Sequence, residues 1–218
     1  MSVDISMSEA QPPVDSMEED FQVFTVAPAG ESADFCTIQA AISAVMALEQ
    51  GCCRMRISVR GGVYEEGQLD IPAGLQIVAA EGCEPDSASP VIIAARADHP
   101  AISSRAKGAL IRGIRIEHNG PFGSMACVVI ESGDIRMENC VVTGSVSIGV
   151  LVHGDSTPSL VGCEVLVCCG DGIKVSETGA PTILQCMIHD NDGFGIFCTG
   201  TSAGMLAPIN TYLTRLPS

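Results

Sequence analysis

The fold is decided by a repeat that runs from residue 140 to residue 200. The chain reads CVVTGSVSIGVLVHGDSTPSLVG over 140–162, CEVLVCCGDGIKVSETGAPTILQ over 163–185 and CMIHDNDGFGIFCTG over 186–200. A cysteine and a glycine recur every 23 residues, at Cys140, Cys163 and Cys186 and at Gly149, Gly172 and Gly195. Self-similarity at a fixed period of this length is typical of proteins built from stacked structural repeats.

Each repeat consists of short segments that resemble β-strands separated by turns. Apolar residues alternate with other residues around Val142 and again around Val150, and glycines lie between these runs. Short alternating runs that are rich in β-branched residues favour strands over helices. The alternation changes parity once in each repeat, as at a bend between two strands, at Asn139, Gly162 and Gln185. The repeat therefore predicts three strands and three turns in each coil of a parallel β-helix, with neighbouring coils about 4.8 Å apart.

The same register extends upstream of residue 140. A further copy fits if the turn at 118–123 contains a three-residue insertion, which places Ile114 at the position of Cys140. Insertions in repeat arrays fall in turns. We therefore predict an all-β fold, a right-handed single-stranded parallel β-helix of about six coils with about 23 residues in each coil.

The composition agrees with a narrow stack of coils. Of 218 residues, 46% are hydrophobic and 23 are glycine, but only 4% are aromatic. A thin solenoid interior has little room for large rings, so small and branched apolar residues must fill it. The formal net charge of -15 disfavours binding to nucleic acid or to an anionic membrane. No apolar run approaches the roughly 18 residues of a membrane span.

The residues outside the repeats predict three further segments. Residues 1–20 carry six acids and no base, and we expect a disordered acidic tail there. A β-helix domain is predicted over 21–203, beginning with a strand and a capping helix at 37–50, whose apolar residues follow helical spacing. Residues 204–218 are predicted to be a C-terminal capping segment or tail, because the open end of a solenoid must be covered.

Cysteine usage indicates a reducing compartment. The chain has eleven cysteines, an odd number, and the N-terminus lacks the apolar region of a secretory signal. None of the four histidines lies at zinc-ligand spacing from a cysteine pair, so no metal and no cofactor are expected. We interpret the cysteines as small buried apolar residues in a cytoplasmic protein, and the repeating thiols as inert packing.

Two resemblances to known families accompany these patterns. The stretches Phe24–Ala27, Asp34–Ile42, Arg56–Val59 and Gly62–Glu66 resemble the opening of right-handed β-helix proteins such as pectin methylesterases. The later unit from Ala180 to Phe197 is similar to the β-helix repeats of F-box proteins and of spindle-associated Shc-binding proteins. The resemblance covers about residues 22–200 and implies the fold, since this scaffold hosts lyases, hydrolases, esterases and binding modules.

The residues that these enzyme families use for catalysis are not matched. Pectin methylesterases use two Asp, paired Gln and an Arg at characteristic motifs, and the corresponding region of this chain has no Gln-Asp-Thr-Leu-like run. A polygalacturonase-like site needs Gly-His-Gly and Arg-x-Lys motifs, and both are missing from the repeats over 140–200. Asp171, Asp190 and Asp192 lie in equivalent turns of adjacent predicted coils and form the alternative catalytic cluster of a carbohydrate-active hydrolase or lyase. Asp-Gly and Asn-Asp-Gly are also ordinary turn sequences. We therefore interpret the three residues as turn residues and predict no catalytic residue.

The predicted outer faces favour a protein-binding role. Near the last coil, Met187 and Phe197 occupy outward positions, which is apolar for a solvent-facing surface. Arg54, Arg56 and Arg60 form a basic stripe that can receive the acidic tail or an acidic partner, although a solvated outer face is the simpler interpretation. We predict a non-enzymatic interaction or scaffold module with protein partners, such as a subunit of a larger cytoplasmic or cytoskeletal assembly. Carbohydrate is a ligand only under the alternative.

Overall fold

A computed structural model describes residues 21–48, 54–88, 90–95, 98–120, 126–144 and 147–200, together with the backbone of residues 205–206. The predicted acidic tail at 1–20 lies outside the described residues. The side chains of the predicted C-terminal segment at 204–218 also lie outside them. No helix among the described residues is long and apolar enough to cross a membrane.

The described residues form six coils of three strands each, preceded by one strand and one helix. The elements are β1 (Phe21–Val26) and α1 (Ile38–Ala47); then β2 (Arg54–Val59), β3 (Gly62–Glu65) and β4 (Leu69–Ile71); β5 (Gln76–Ala79), β6 (Val91–Ala95) and β7 (Ile102–Ser104); β8 (Leu110–Arg112), β9 (Arg115–His118) and β10 (Ala126–Ile130); β11 (Arg136–Glu138), β12 (Val141–Thr143) and β13 (Ile148–Val152); β14 (Ser159–Val161), β15 (Glu164–Leu166) and β16 (Ile173–Val175); β17 (Thr182–Leu184), β18 (Met187–His189) and β19 (Ile196–Cys198); and finally β20 (Met205–Leu206). The predicted parallel β-helix of about six coils is confirmed.

The strands stack into three parallel sheets that run along the solenoid. Sheet A contains β1, the first strand of every coil and β20, whereas sheets B and C contain the second and third strands. In sheet B, Val142 pairs with Val165 and Val165 with Ile188, which confirms the 23-residue period. Val142 also pairs with Ile116, so the coil before it is three residues longer, as the predicted insertion requires.

The predicted change of parity is a sharp bend between sheets A and B. One residue at this bend has a left-handed backbone in four successive coils: φ is 69° at Gly113, 49° at Asn139, 62° at Gly162 and 53° at Gln185. A single left-handed residue turns the chain sharply without using a longer loop. The inward positions on its two sides, such as Met137 and Cys140, are therefore three residues apart instead of two, which produces the parity change seen in the sequence.

The core is a single column of apolar side chains enclosed by the three sheets. Its largest fully buried members are mostly isoleucines, such as Ile77, Ile111 and Ile116. Space between coils is tight: a Cβ atom added to Gly172 would lie 2.7 Å from Ile188 Cγ2. So narrow a column has room for few large rings, and Tyr64 is the one aromatic residue among the buried members of the described core. The low aromatic content therefore follows from the architecture.

The helix α1 packs its apolar face against the N-terminal end of this column. Ile38, Ala41 and Ile42 are buried in the same cluster as the coil interiors. Thr37 is the N-cap, with Oγ1 accepting from the backbone N–H of Ala40 at 3.2 Å. The helix ends at Ala47, and the backbone is extended at Leu48. The end of the predicted helix, residues 49–50, lies outside the described residues.

The repeating cysteines form a buried column of thiols. Cys140, Cys163 and Cys186 are buried, and each Sγ donates to backbone carbonyls of its own and the preceding coil at 3.3–3.6 Å. The hydrogen bond with Cys140 raises the pKa of Cys163 to about 12. Hydrogen bonding with Cys163 and burial raise the pKa of Cys186 as well. Because the thiolate is the reactive form, Cys163 and Cys186 are unreactive at neutral pH. The hydrogen bond with Cys163 lowers the pKa of Cys140, but this thiol is fully buried and out of reach of solvent reagents.

Thiol counting tests this interpretation. We expect the native protein to react rapidly at exposed thiols, which among the described residues are Cys36, Cys169 and Cys198. Unfolding in denaturant without a reductant should then release all eleven cysteines of the chain to the reagent. A count below eleven in the unfolded, non-reduced protein contradicts inert packing, because it requires a disulfide.

Candidate functional site

The three aspartates of the predicted alternative catalytic cluster make different contacts. Asp171 precedes β16, and its Oδ1 accepts from the backbone N–H of Phe194 in the next coil at 2.9 Å. Asp190 has a left-handed backbone with φ of 52°, and its Oδ2 lies 2.9 Å from His189 Nδ1. Asp192 is exposed, and its backbone N–H donates to the carbonyl of Cys168. These contacts support the turn interpretation, and catalysis by the three carboxylates stays a prediction.

His189 is held between two carboxylates on the outer face of sheet B. Its Nε2 lies 2.7 Å from Glu164 Oε1, and its Nδ1 lies 2.9 Å from Asp190 Oδ2. Only the protonated imidazolium donates from both nitrogens at once. The hydrogen bonds to Asp190 and then to Glu164 raise the pKa of His189 above its ordinary value of 6.5. The three side chains therefore form a charged link between the fifth and sixth coils.

This link predicts a pH-dependent contribution to stability. Because the folded-state pKa of His189 is raised, the contribution is fully present below about pH 6.5 and is lost as the pH rises through the folded pKa. We expect His189→Gln to lower the free energy of unfolding by up to about 1 kcal/mol at pH 5.5 and by less at pH 8.5. Urea unfolding across this range measures the effect, with His153→Gln at the end of sheet C strand β13 as the control. Equal pH dependence in wild type and His189→Gln contradicts it.

The outer face of sheet C changes character along the solenoid. Paired positions on successive strands form one outward column: Asp70, Ser103, Val129, Leu151, Lys174 and Phe197. Val129 and Leu151, in the middle, are buried in a small apolar cluster with Ala126 and Ile148. The face is therefore polar at one end, apolar in the middle, and cationic and aromatic at the other end.

The aromatic end consists of Phe194, Phe197 and Lys174, which we call the aromatic platform. The two rings are stacked, with centroids 5.4 Å apart and an angle of 14° between their planes. Lys174 Nζ lies 5.8 Å from the centroid of the Phe197 ring. Phe194 is 62% exposed, and the Asp171 carboxylate holds its backbone in place. An exposed, rigidly positioned pair of rings is a feature of binding surfaces.

The polar end is a pocket of about 330 Å³, which we call the polar pocket. Its lining residues are Gln68, Asp70, Ile71, Ser103, Arg105 and Glu131. Glu131 accepts from Arg105 Nε at 2.7 Å and from the buried Ser103 Oγ at 3.3 Å. Gln68 Nε2 donates to Asp70 Oδ1 at 2.8 Å. The pocket thus offers fixed carboxylate, guanidinium and amide groups to a polar ligand.

Sequence reasoning missed the polar pocket and Phe194. The pocket residues come from three coils of unequal length, so no constant spacing connects them. Their only sequence signal is that Gln68 and Asp70, and likewise Ser103 and Arg105, are two residues apart and so share one side of a strand.

The residues predicted to bind partners lie on all three sheets. Met187 is 42% exposed on sheet B, and Phe197 lies on sheet C. Arg54 and Arg56 lie in β2 of sheet A, and Arg60 follows that strand and pairs with Glu31 at 3.7 Å. The five residues therefore do not form one site, and their role in partner binding stays a prediction. Within the described ranges, no group of three or more His, Cys, Asp or Glu side chains is arranged to hold a metal ion.

The family is established by residues 91–211, which match the family model described as "Right handed beta helix region". Because this match covers more than half of the chain, the protein belongs to the right-handed β-helix family. No curated protein matches the chain.

Solved structures share the fold at low sequence identity. The Escherichia coli protein ybhc has a TM-score of 0.59 at 14% identity, covering 87% of this chain and 59% of its own. Pectin methylesterase PemA from Erwinia chrysanthemi has a TM-score of 0.60 at 16% identity, covering 77% of this chain and 55% of its own. A pectin methylesterase mutant in complex with a hexasaccharide has a TM-score of 0.55 at 16% identity, covering 76% of this chain and 55% of its own. The chain thus spans between half and three fifths of these structures, and the likeness shows the fold alone.

Proposed function

We propose that this chain is a non-enzymatic binding module that engages a protein partner along the outer face of sheet C. The aromatic platform is the observation that carries the proposal. Phe194 is 62% exposed although the chain has few aromatic residues, and its ring is fixed by stacking on Phe197. Aromatic side chains that are held in place before binding lose little entropy in a complex and often dominate interface energetics.

The contacts of the carboxylates support a binding role over a catalytic one. Asp171 is engaged by the backbone of Phe194, and Asp190 by His189. In the polar pocket, Glu131 is hydrogen-bonded to Arg105 and Ser103. Carboxylates that accept hydrogen bonds from neighbouring groups stabilise structure and can recognise a partner. A general acid, in contrast, must be protonated so that it can donate a proton.

The sheet C face also indicates what kind of segment fits it. Asp70 in the polar pocket and Phe197 in the aromatic platform are five strand spacings apart, which is about 24 Å. An extended peptide covers this distance with about seven residues, at about 3.3 Å per residue. The partner segment therefore has an apolar or aromatic anchor for the platform and, about seven residues away, a basic side chain for Asp70.

A pair of matched variants tests the proposal. Phe194→Ser with Phe197→Ser removes the platform, whereas Val63→Ser removes an exposed apolar side chain from sheet B. We expect a protein captured by the wild-type chain to lose about 30-fold in affinity with the platform variant, equivalent to about 2 kcal/mol. Val63→Ser should retain capture. Equal capture by wild type and the platform variant overturns the proposal.

The polar pocket favours one second candidate, a carbohydrate-active enzyme. Two carboxylates, Asp70 and Glu131, lie with Arg105 and Gln68 in an open depression on a β-helix face. One structural relative is a pectin methylesterase mutant in complex with a hexasaccharide. The wild-type chain should then turn over acidic or neutral polysaccharides. Support for this candidate requires that the turnover is lost in Asp70→Asn and Glu131→Gln but kept in Asp171→Asn. The binding-module proposal expects no turnover by the wild-type chain.

A further inference from the structure

The outer face of sheet A is basic although the whole chain is strongly acidic. Four arginines lie on it, two of them in β2 and one each in β8 and β11: Arg54, Arg56, Arg112 and Arg136. Glu138 is the one acid in the described strands of this sheet, and it pairs with both Arg112 and Arg136. We call this surface the arginine face. It carries a net charge of +3 on a chain whose formal charge is -15.

The residues just before β1 in the sequence are strongly acidic. Residues 1–20 carry six acids and no base, and four of the six lie at Asp15, Glu18, Glu19 and Asp20. The segment joins the structure at Phe21, which pairs in register with Arg54. The guanidinium carbon of Arg56 lies 3.9 Å from the centroid of the Phe21 ring. The acidic segment therefore enters the fold at the basic end of sheet A.

The segment is long enough to cover the whole arginine face. The strands β2 and β11 are three strand spacings apart, which is about 14 Å. The six residues that precede Phe21 span up to about 20 Å when extended. Tethering also gives the segment an effective concentration in the millimolar range at this face.

We propose that the acidic segment 1–20 docks on the arginine face of its own chain and shields it from other acidic ligands. The attraction is between opposite charges on the surface, so it weakens with ionic strength. An external acidic segment binds this face only after displacing the tethered one. This proposal concerns sheet A and goes beyond the binding role proposed for sheet C.

Photo-crosslinking in the full chain tests the docking directly. With a photoreactive amino acid in place of Ser16, we expect intramolecular crosslinks to the strands β2, β8 and β11 at low salt and fewer at 0.5 M salt. A photoreactive amino acid in place of Val63 on sheet B gives the background. The proposal is overturned by crosslinks to sheets B or C, by crosslinks that form only between molecules, or by the absence of crosslinks above the background.

Competition by an external peptide tests the shielding. The probe is a labelled peptide with the sequence of residues 1–20. Its affinity is measured for the full wild-type chain and for a neutralised full chain, in which the six N-terminal acids are replaced by Asn or Gln. We expect the neutralised chain to bind the probe about 10-fold more tightly than wild type, because the tethered competitor is gone. Adding Arg112→Gln and Arg136→Gln should abolish this gain, whereas Arg115→Gln on sheet B should not. Equal affinity of the wild-type and neutralised chains, with circular dichroism showing both folded, overturns the shielding.

Discussion

Replacing Gly133 by alanine is expected to lower the free energy of unfolding by about 3–4 kcal/mol. Gly133 lies in the turn from sheet C to sheet A with φ of 83°. A Cβ atom there would lie 2.1 Å from the carbonyl oxygen of Ala106 and 2.7 Å from its carbonyl carbon. Both contacts are with backbone of the neighbouring coil, so no side-chain rotation relieves them.

The backbone that is in contact with Gly133 also holds two coils together. The carbonyl oxygen of Ala106 accepts from the backbone N–H of Asp134 at 3.0 Å, and Asp134 Oδ1 accepts from the N–H of Gly108 at 2.6 Å. Moving Ala106 away from a new methyl group weakens these bonds between the second and third coils. The substitution therefore costs both backbone strain and inter-coil hydrogen bonding.

Gly74→Ala is the matched control for this prediction. Gly74 has φ of 71°, but a Cβ atom there would meet no atom within 4 Å. It should lose only the about 1–2 kcal/mol of a left-handed alanine. The effect of alanine on the unfolded chain is the same at both sites and cancels in the comparison. Urea unfolding of the two variants measures the difference, and equal midpoints contradict the steric argument.

The C-terminal coils were predictable because their length is constant. From residue 140 onward, each inward position meets its copy 23 residues later, as Val142, Val165 and Ile188 do. A small or branched apolar residue that the narrow core requires in one coil is therefore required at the same position of the next coil. The sequence shows this requirement as a period. The left-handed bend was visible for the same reason, since one residue in each coil breaks the alternation at the same place.

The polar pocket was not predictable because the coils that form it differ in length. Asp70 pairs with Ser103 and Ser103 with Val129, so the offset changes from 33 to 26 residues between neighbouring coils. Insertions in turns do not disturb the stacking of strands, but they remove the period from the sequence. Residues that are adjacent in space then have no fixed relation along the chain.

The sequence predicted only part of the arginine face, because strand alternation relates only residues of the same strand. Alternation along β2 correctly places Arg54 and Arg56 on the same face. The chain bends after Val59, so Arg60 leaves that face and pairs with Glu31. The arginines that complete the face, Arg112 and Arg136, come from other coils, and only the register between strands brings them together.

Asn191→Ala is expected to lower the free energy of unfolding by about 2–4 kcal/mol. Asn191 belongs to a sequence that resembles an ordinary turn, yet its side chain is only 2% exposed. Its Oδ1 accepts from the backbone N–H of Cys168 at 3.0 Å, and its Nδ2 donates to the carbonyl of Val165 at 3.2 Å. Alanine removes both of these buried hydrogen bonds, and the loss of a partner by a buried polar group costs about 1–3 kcal/mol.

The same substitution links the core to the proposed binding surface. The loop of Asn191 leads directly to Phe194, so loosening it should let the aromatic platform move. We expect faster amide exchange at Phe194, whose N–H donates to Asp171, and at Gly172 and Ile173, whose N–H groups donate to the carbonyls of Phe194 and Gly195. Asp192→Ala is the control, since Asp192 is exposed and its replacement should change stability by less than about 0.5 kcal/mol. If the two variants unfold at the same urea concentration, the buried amide of Asn191 does not stabilise the contact between the last two coils. The position of the platform then depends on Asp171 and on ring stacking.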